Sequence, residues 1–194
     1  RREGRILGRS LENGQESSLS PASWGQCSWP ACSPAGKTIL FVVRDGEKDA
    51  IMAMAAGDRE PKRLVEGELP SAPRWDPSGK RIAYQRGPHL WIMDADGSNQ
   101  WQLTTAGGIQ RCPAWSPDGS AIAYCQGLST RGPWQLCATK ADATKTTFIG
   151  EPSARRVLGP DWGTYQGEGK PVRWPAKPAG VRSEPCVRAW DTGR

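Results

Sequence analysis

The sequence predicts an all-β fold made of β-propeller blades, and three observations lead to this prediction. Only 37% of the 194 residues are hydrophobic, while 23 glycines and 17 prolines provide for many tight turns. One twelve-residue pattern recurs forty positions later in the chain. Each forty-residue unit contains four short strand patterns, which is typical of one blade.

The repeat is clearest in the middle of the chain. Residues 73–84 (PRWDPSGKRIAY) and 113–124 (PAWSPDGSAIAY) share their Pro, Trp, second Pro, Gly and Ile-Ala-Tyr positions. A weaker copy lies at 30–41 (PACSPAGKTILF), and a partial copy at 160–163 (PDWG) stops after its Trp. In each full copy a strand ends at the Trp position, a Pro- and Gly-containing turn follows, and the next strand begins.

The residues at the Trp position are Cys32, Trp75, Trp115 and Trp162. Because they recur at blade spacing, we expect them to pack between neighbouring blades rather than to form a ligand cage. Trp75 and Trp115 should occupy equivalent positions and be largely buried.

The third and fourth strands of each unit follow from short runs of β-branched and aromatic residues between turns. In the first unit these strands are expected near 51–54 and 62–65, and in the third unit near 135–138 and 147–149. In the middle unit the fourth strand is expected at 101–104. A hairpin formed by 5–7 and 17–19 resembles the end of an earlier blade. Overall, the sequence predicts almost no helix and strands near 37–43, 81–85, 90–94, 121–125 and 134–138.

The repeat pattern divides the chain into three segments. Residues 1–24 are the end of a preceding blade and a linker, 25–163 are the propeller repeats, and 164–194 are a Pro-, Gly- and Arg-rich tail. Three complete blades with partial blades at each end predict an open arc or incomplete ring. The first hairpin can join the Trp162 strand to close a small ring, or the tail can fold back as a strap with Trp174 and Trp190 docking. We expect an arc, completed by a protein partner or a second copy.

The W-S-P-D-G-x-x-I-A-Y pattern, followed by L-W-x-M-D-A-D-G and L-T, resembles the repeat of TolB-like propellers. The resemblance covers about 130 residues. It implies a propeller of typically six or seven blades, often outside the cytoplasm, that makes protein contacts or accompanies a hydrolase domain. A periplasmic or extracellular location is therefore expected.

Charge and hydropathy exclude other classes of protein. The net charge of +6 is spread along the chain without a basic run, so we expect no nucleic-acid partner. No apolar run reaches the length of a membrane span.

No cofactor or metal is expected from the sequence. The six cysteines lack a Cys-x-x-Cys pair, which argues against zinc, although Cys125 and Cys137 lie on adjacent strands and can pair as a disulfide. Residues 31–38 lack the first Gly of a phosphate-binding loop. The run 94–99 begins like a calcium loop but has Thr105 where the final Glu belongs, so we interpret it as a hairpin turn.

The chain is expected to be non-catalytic. His89 is its only histidine, and there is no Gly-x-Ser-x-Gly nucleophile motif. We therefore predict a protein–protein interaction or scaffolding module. Two alternatives remain open: the substrate-gating propeller of a serine hydrolase, and a structural subunit of an envelope or extracellular assembly. The candidate binding residues are those that the blade arrangement places in loops on one common face: Arg86, His89, Arg111, Arg131 and Trp134.

Overall fold

The computed structural model of the chain describes residues 4–10, 13–20, 22–44, 48–55, 58, 60–153, 157–164 and 185–191. These residues form short antiparallel strands and one 3₁₀ turn, Ala22–Trp24. An N-terminal hairpin contains β1 (Leu7–Arg9) and β2 (Glu16–Ser18).

Three four-stranded sheets follow, and each has its strands in chain order. The first sheet contains β3 (Gln26–Cys32), β4 (Thr38–Arg44), β5 (Asp49–Ala55) and β6 (Lys62–Gly67). The second contains β7 (Ser71–Trp75), β8 (Arg81–Arg86), β9 (His89–Asp94) and β10 (Trp101–Gln102). The third contains β11 (Ile109–Trp115), β12 (Ala121–Gly127), β13 (Trp134–Lys140) and β14 (Thr146–Ser153). The predicted blades and strands are confirmed.

The blades stack through buried apolar faces, with their first strands side by side. β3 contacts β7, and β7 contacts β11. The repeat positions Phe41, Tyr84 and Tyr124 are all fully buried. Tyr84 packs with residues of the first blade and Tyr124 with residues of the second. The core therefore lies between blades as well as within them.

The same turn closes the first two strands of every blade. A side-chain oxygen at the position after the Trp accepts the amide five residues later: Ser33 from Thr38 at 3.0 Å, Asp76 from Arg81 at 3.1 Å and Ser116 from Ala121 at 2.9 Å. Burial raises the pKa of Asp76, but hydrogen bonds from Arg81, Ser78 and Lys80 outweigh burial and hold that pKa below its usual range.

Each first strand also contains the same β-bulge. The pairing register shifts at the residue before a proline, and that residue has positive φ in all three blades: Trp29 at 55°, Ala72 at 49° and Cys112 at 56°. Bulges bend a strand and increase its twist. A bulge at one repeated position therefore gives each first strand the same bend where the strands meet.

The indoles at the Trp position make equivalent contacts between blades. Trp75 Nε1 donates to the Ala31 carbonyl at 3.2 Å, and Trp115 Nε1 donates to the Arg74 carbonyl at 3.1 Å. Ala31 and Arg74 are themselves equivalent residues of successive blades. The predicted equivalence of the two tryptophans is confirmed.

Their burial differs, which corrects the expectation that both are largely buried. Trp115 is buried, and the Arg81 guanidinium lies 4.6 Å from its ring centroid, whereas Trp75 is only half-buried. Thr38 is the first-blade counterpart of Arg81 and is too short to cover an indole. Cys32 is exposed, so its predicted packing role is wrong. The Trp162 side chain lies outside the described residues.

The chain covers the outer face of the first blade with its own hairpin. Ile6 and Leu19 pack with Cys27, Phe41 and Met54, and Trp24 stacks on Phe41 with ring centroids 5.7 Å apart. The Cys27 amide also donates to the Gly4 carbonyl. The hairpin is thus a separate two-stranded sheet that packs on the first blade.

At the other end, β15 (Val157–Thr164) pairs with β16 (Pro185–Asp191), a strand of the predicted tail. β15 contacts β11 and β12 of the third blade. The described residues therefore form a partial, open propeller, and β1 and β2 pair only with each other in it. Trp174 and the Trp190 side chain lie outside the described residues.

We predict that Trp115→Ala lowers the free energy of unfolding by about 3–5 kcal/mol, because it empties a buried site and removes an inter-blade hydrogen bond. Trp75→Ala should cost less, since its indole is half-exposed. Urea denaturation measures both values. An equal or larger cost for Trp75→Ala would contradict the role assigned to Arg81.

Candidate functional site

One end of the blade stack brings together the residues nominated from the sequence. We call the surface formed by 67–70, 86–89, 104–111 and 127–134 the loop face. The Gly87 amide donates to the Glu68 carbonyl at 2.9 Å, and the Gln110 amide donates to the Pro88 carbonyl at 2.7 Å. These bonds connect the loop face across consecutive blades.

The buried side chain of Gln110 holds several loop-face segments together through hydrogen bonds. It is fully buried, and its Nε2 donates to the carbonyls of Ala106 at 3.0 Å and Gly107 at 3.3 Å. Its Oε1 accepts the Thr104 hydroxyl at 3.2 Å and lies 2.8 Å from His89 Nδ1. Since Oε1 only accepts, His89 Nδ1 carries a proton in this arrangement.

A tight backbone contact holds the connection between the second and third blades. Gly108 has a φ of +87°, and a Cβ placed there would lie 2.4 Å from the Gly127 carbonyl oxygen. Only glycine fits both the conformation and the space. The 104–108 segment is thereby fixed against the start of the 127–134 loop.

Arg111 and Trp134 form the supported centre of the loop face. The Arg111 guanidinium lies 3.9 Å from the Trp134 ring centroid, a distance typical of a cation–π contact. Trp134 is 4% exposed, and Cβ atoms placed at Gly127 and Gly132 would lie 2.8 and 3.1 Å from its ring. Trp134 therefore supports Arg111 and is covered itself.

Four of the five nominated residues lie in strands, not in the loops predicted for them. Arg86 and His89 lie at adjoining ends of β8 and β9, Arg111 lies within β11, and Trp134 begins β13; Arg131 alone is in a loop. Strand pairing extends further toward this end of the blades than the turn pattern indicated. Arg86 is half-buried, with its guanidinium 5.3 Å from the Trp91 ring centroid.

Sequence reasoning missed three residues of the loop face. Leu69 and Leu128 are 66% and 82% exposed, although both are large and apolar. Gln110 was also missed, because its counterparts in the other blades are Cys27 and Pro70 and the repeat gives no polar signal there. Exposed leucines beside arginines make a surface that is both apolar and cationic.

The described cysteines Cys27, Cys32, Cys112, Cys125 and Cys137 are all free. Cys125 lies opposite Leu136, and Cys137 lies opposite Tyr124. Cys125 and Cys137 therefore point to opposite faces of the sheet, so the disulfide considered between them is wrong. Burial raises the pKa of the Cys125 thiol to about 12 and that of Cys137 to about 11.

The 94–99 run forms a hairpin turn in which its polar groups bond to one another. Asn99 Nδ2 donates to Asp94 Oδ2 at 2.6 Å, and the Ser98 amide donates to Asp96 Oδ1 at 2.9 Å. In the described part of the chain no cluster of three or more His, Cys, Asp or Glu residues is suited to a metal ion. Within that same part, no helix has the length and apolar character needed to cross a membrane.

Comparison with known proteins gives a match at the level of structure. No family model and no curated protein matches the sequence. TolB from Acinetobacter baumannii superposes with a TM-score of 0.70 at 19% identity, over 82% of this chain and 40% of that one. The fold is that of a TolB-like β-propeller.

Enzymes share this TolB-like fold as well. Oligogalacturonate lyase from Vibrio parahaemolyticus has a TM-score of 0.62 at 14% identity, over 98% of this chain and 58% of that one. Dipeptidyl peptidase 4 from Porphyromonas gingivalis has a TM-score of 0.54 at 15% identity, over 83% and 32%. The chain thus spans less than two thirds of each of these proteins.

We expect Gln110→Ala to lower the free energy of unfolding by about 1–3 kcal/mol, because Thr104 and two backbone carbonyls lose buried hydrogen bonds. Chemical denaturation measures the change. Gln26→Ala is the matched control, since Gln26 is exposed on β3, the equivalent first strand. Equal effects of the two substitutions would show that the Gln110 contacts contribute nothing specific.

We expect iodoacetamide at neutral pH to label Cys32 before the other four described cysteines. Cys32 is exposed, whereas burial raises the pKa of Cys27, Cys112, Cys125 and Cys137 and keeps them as thiols. Peptide mass spectrometry over a time course gives the order. Early labelling of Cys125 would contradict its burial in the third blade.

Proposed function

We propose that this TolB-like chain is a non-catalytic protein–protein interaction module that binds its partner at the loop face. The observation that carries the proposal is the Gln110 network, which holds a cationic and apolar surface in place across two blades. A surface that is ordered before binding loses less conformational entropy on association.

The surroundings of His89 support a role in positioning rather than in catalysis. A general base in a Ser-His-Asp arrangement uses one ring nitrogen toward the nucleophile and the other toward a carboxylate. Here Nδ1 faces the Gln110 amide, which supplies no negative charge. His89 is also the only histidine of the chain.

The chemistry of the loop face favours an acidic partner segment with apolar side chains. The ranges that define the loop face contain three arginines, Arg86, Arg111 and Arg131, but only one carboxylate, that of Glu68. Leu69 and Leu128 supply apolar area beside them. Charge would mainly steer association, and the leucines would provide buried area on binding.

A gating role beside a hydrolase domain is the second candidate function. Peptidases among the structures that share the fold favour it, as with the dipeptidyl peptidase 4 described above. A structural role in an envelope or extracellular assembly is compatible with the same loop face. The proposal includes a periplasmic or extracellular location, which the TolB-like resemblance supports.

The test is a random-peptide display selection against the whole chain. We expect enrichment of peptides that combine Asp or Glu with apolar residues, and binding that weakens as salt screens the arginines. The double variant Leu128→Ser, Arg131→Glu should lower peptide affinity about tenfold or more. Fluorescence anisotropy with a selected peptide measures the affinities.

Lys80→Glu is the matched control, because Lys80 is exposed in the turn at the opposite end of the second blade. Its peptide affinity should equal that of the unmodified chain. Loss of binding in the Lys80 variant alone would place the site elsewhere. Peptide hydrolysis that disappears in His89→Gln would contradict the non-catalytic function.

A further inference from the structure

The outermost strand of each blade leaves a row of backbone N–H and C=O groups without a strand partner within the described chain. Such an edge can pair with another strand, and proteins usually prevent this with charges, bulges or short strands. β6 carries exposed Lys62 and Arg63 and has a bulge against β5. β10 has only two residues.

The edge of the third blade has none of these protections along its first half. Residues 146–149 of β14 pair in regular register with β13, and all four are uncharged. Phe148 is 65% exposed at the middle of this run. The edge is therefore extended and uncharged, with one large exposed apolar side chain.

The hydrogen-bond pattern shows which residues face outward. The Lys140 amide donates to the Lys145 carbonyl at 2.9 Å, so this pair is a hydrogen-bonded one. In antiparallel sheets hydrogen-bonded and non-hydrogen-bonded pairs alternate. The pairs of Thr146 with Thr139 and of Phe148 with Cys137 are then the non-hydrogen-bonded ones. Thr146 and Phe148 direct their N–H and C=O groups away from β13.

We propose that β14 pairs antiparallel with β14 of a second copy of this chain. Residues whose backbone N–H and C=O groups point outward must lie opposite such residues of the second copy. This pairs Thr146 with Phe148 of the second copy, and Thr147 with its own counterpart on the twofold axis. A symmetric register centred on Thr146 would draw Thr144 of the preceding bend into the strand, and one centred on Phe148 requires Gly150 there. Gly150 has a φ of +67°, so that register is disfavoured.

Self-pairing suits this edge better than a partner of different chemistry. Phe148 meets Thr146, an aromatic and β-branched pair that stabilises sheets. The contact is isologous and closes as a dimer. It is small compared with stable interfaces, so the dimer is weak and depends on concentration.

The test is symmetric cross-linking of the whole chain in a Cys32→Ser, Cys186→Ser background. Cys32 is exposed among the described cysteines, and the Cys186 side chain lies outside the described residues. Facing residues of a non-hydrogen-bonded pair are close enough for a disulfide. Thr147→Cys should therefore form a covalent dimer about tenfold faster than Thr146→Cys, whose thiol faces Phe148 instead. Thr146 is the more exposed residue, so random collision would give the opposite order.

Sedimentation of the chain without introduced cysteines is the second measurement, and it does not depend on the folding of the Thr147 variant. The average mass should rise with concentration toward twice the monomer mass, and Phe148→Lys should remain monomeric. A monomer at all concentrations, faster cross-linking at Thr146, or a dimer unchanged by Phe148→Lys would overturn the proposal. The β14 edge is a different surface from the loop face, so neither proposal depends on the other.

Discussion

The structure depends on one contact that repeats between blades: an indole N–H donates to a carbonyl in the first strand of the preceding blade. Trp75 and Trp115 make it at almost the same distance. The contact joins adjacent first strands, and each of these strands carries the same bulge. Because the blades then stack on continuous apolar faces, none of them is an independent unit.

The loop face follows from this stacking. Once the first strands lie side by side, the start of β11 is held against the turn between β8 and β9, and a buried amide at Gln110 can bond to both. Arg111, the next residue, is half-buried and stacks on the ring of Trp134. The repeated positions thus form the scaffold, and the positions where blades differ form the candidate site.

The blades could be predicted from the sequence because turn chemistry and strand alternation are local. Ser-Pro-Asp-Gly sets a turn through its own side chains, as the Ser116 contact shows. Features that depend on distant residues were not predictable. The cover on Trp115 comes from Arg81, the cap on Phe41 from the N-terminal hairpin, and the partner of β15 from a tail strand. For the candidate site, the sequence nominated five residues that the structure places at one end of the blades, but it gave neither the burial of Trp134 nor the role of Gln110.

The central claim is that indole contacts join the three blades into one cooperative arc, and native-state hydrogen exchange tests it most directly. Amides in β4, β8 and β12 should exchange through one shared opening, with the same free energy and the same denaturant dependence. Trp115→Ala should separate β12 from the other two. Distinct opening free energies for the three strands in the unmodified chain would contradict the claim.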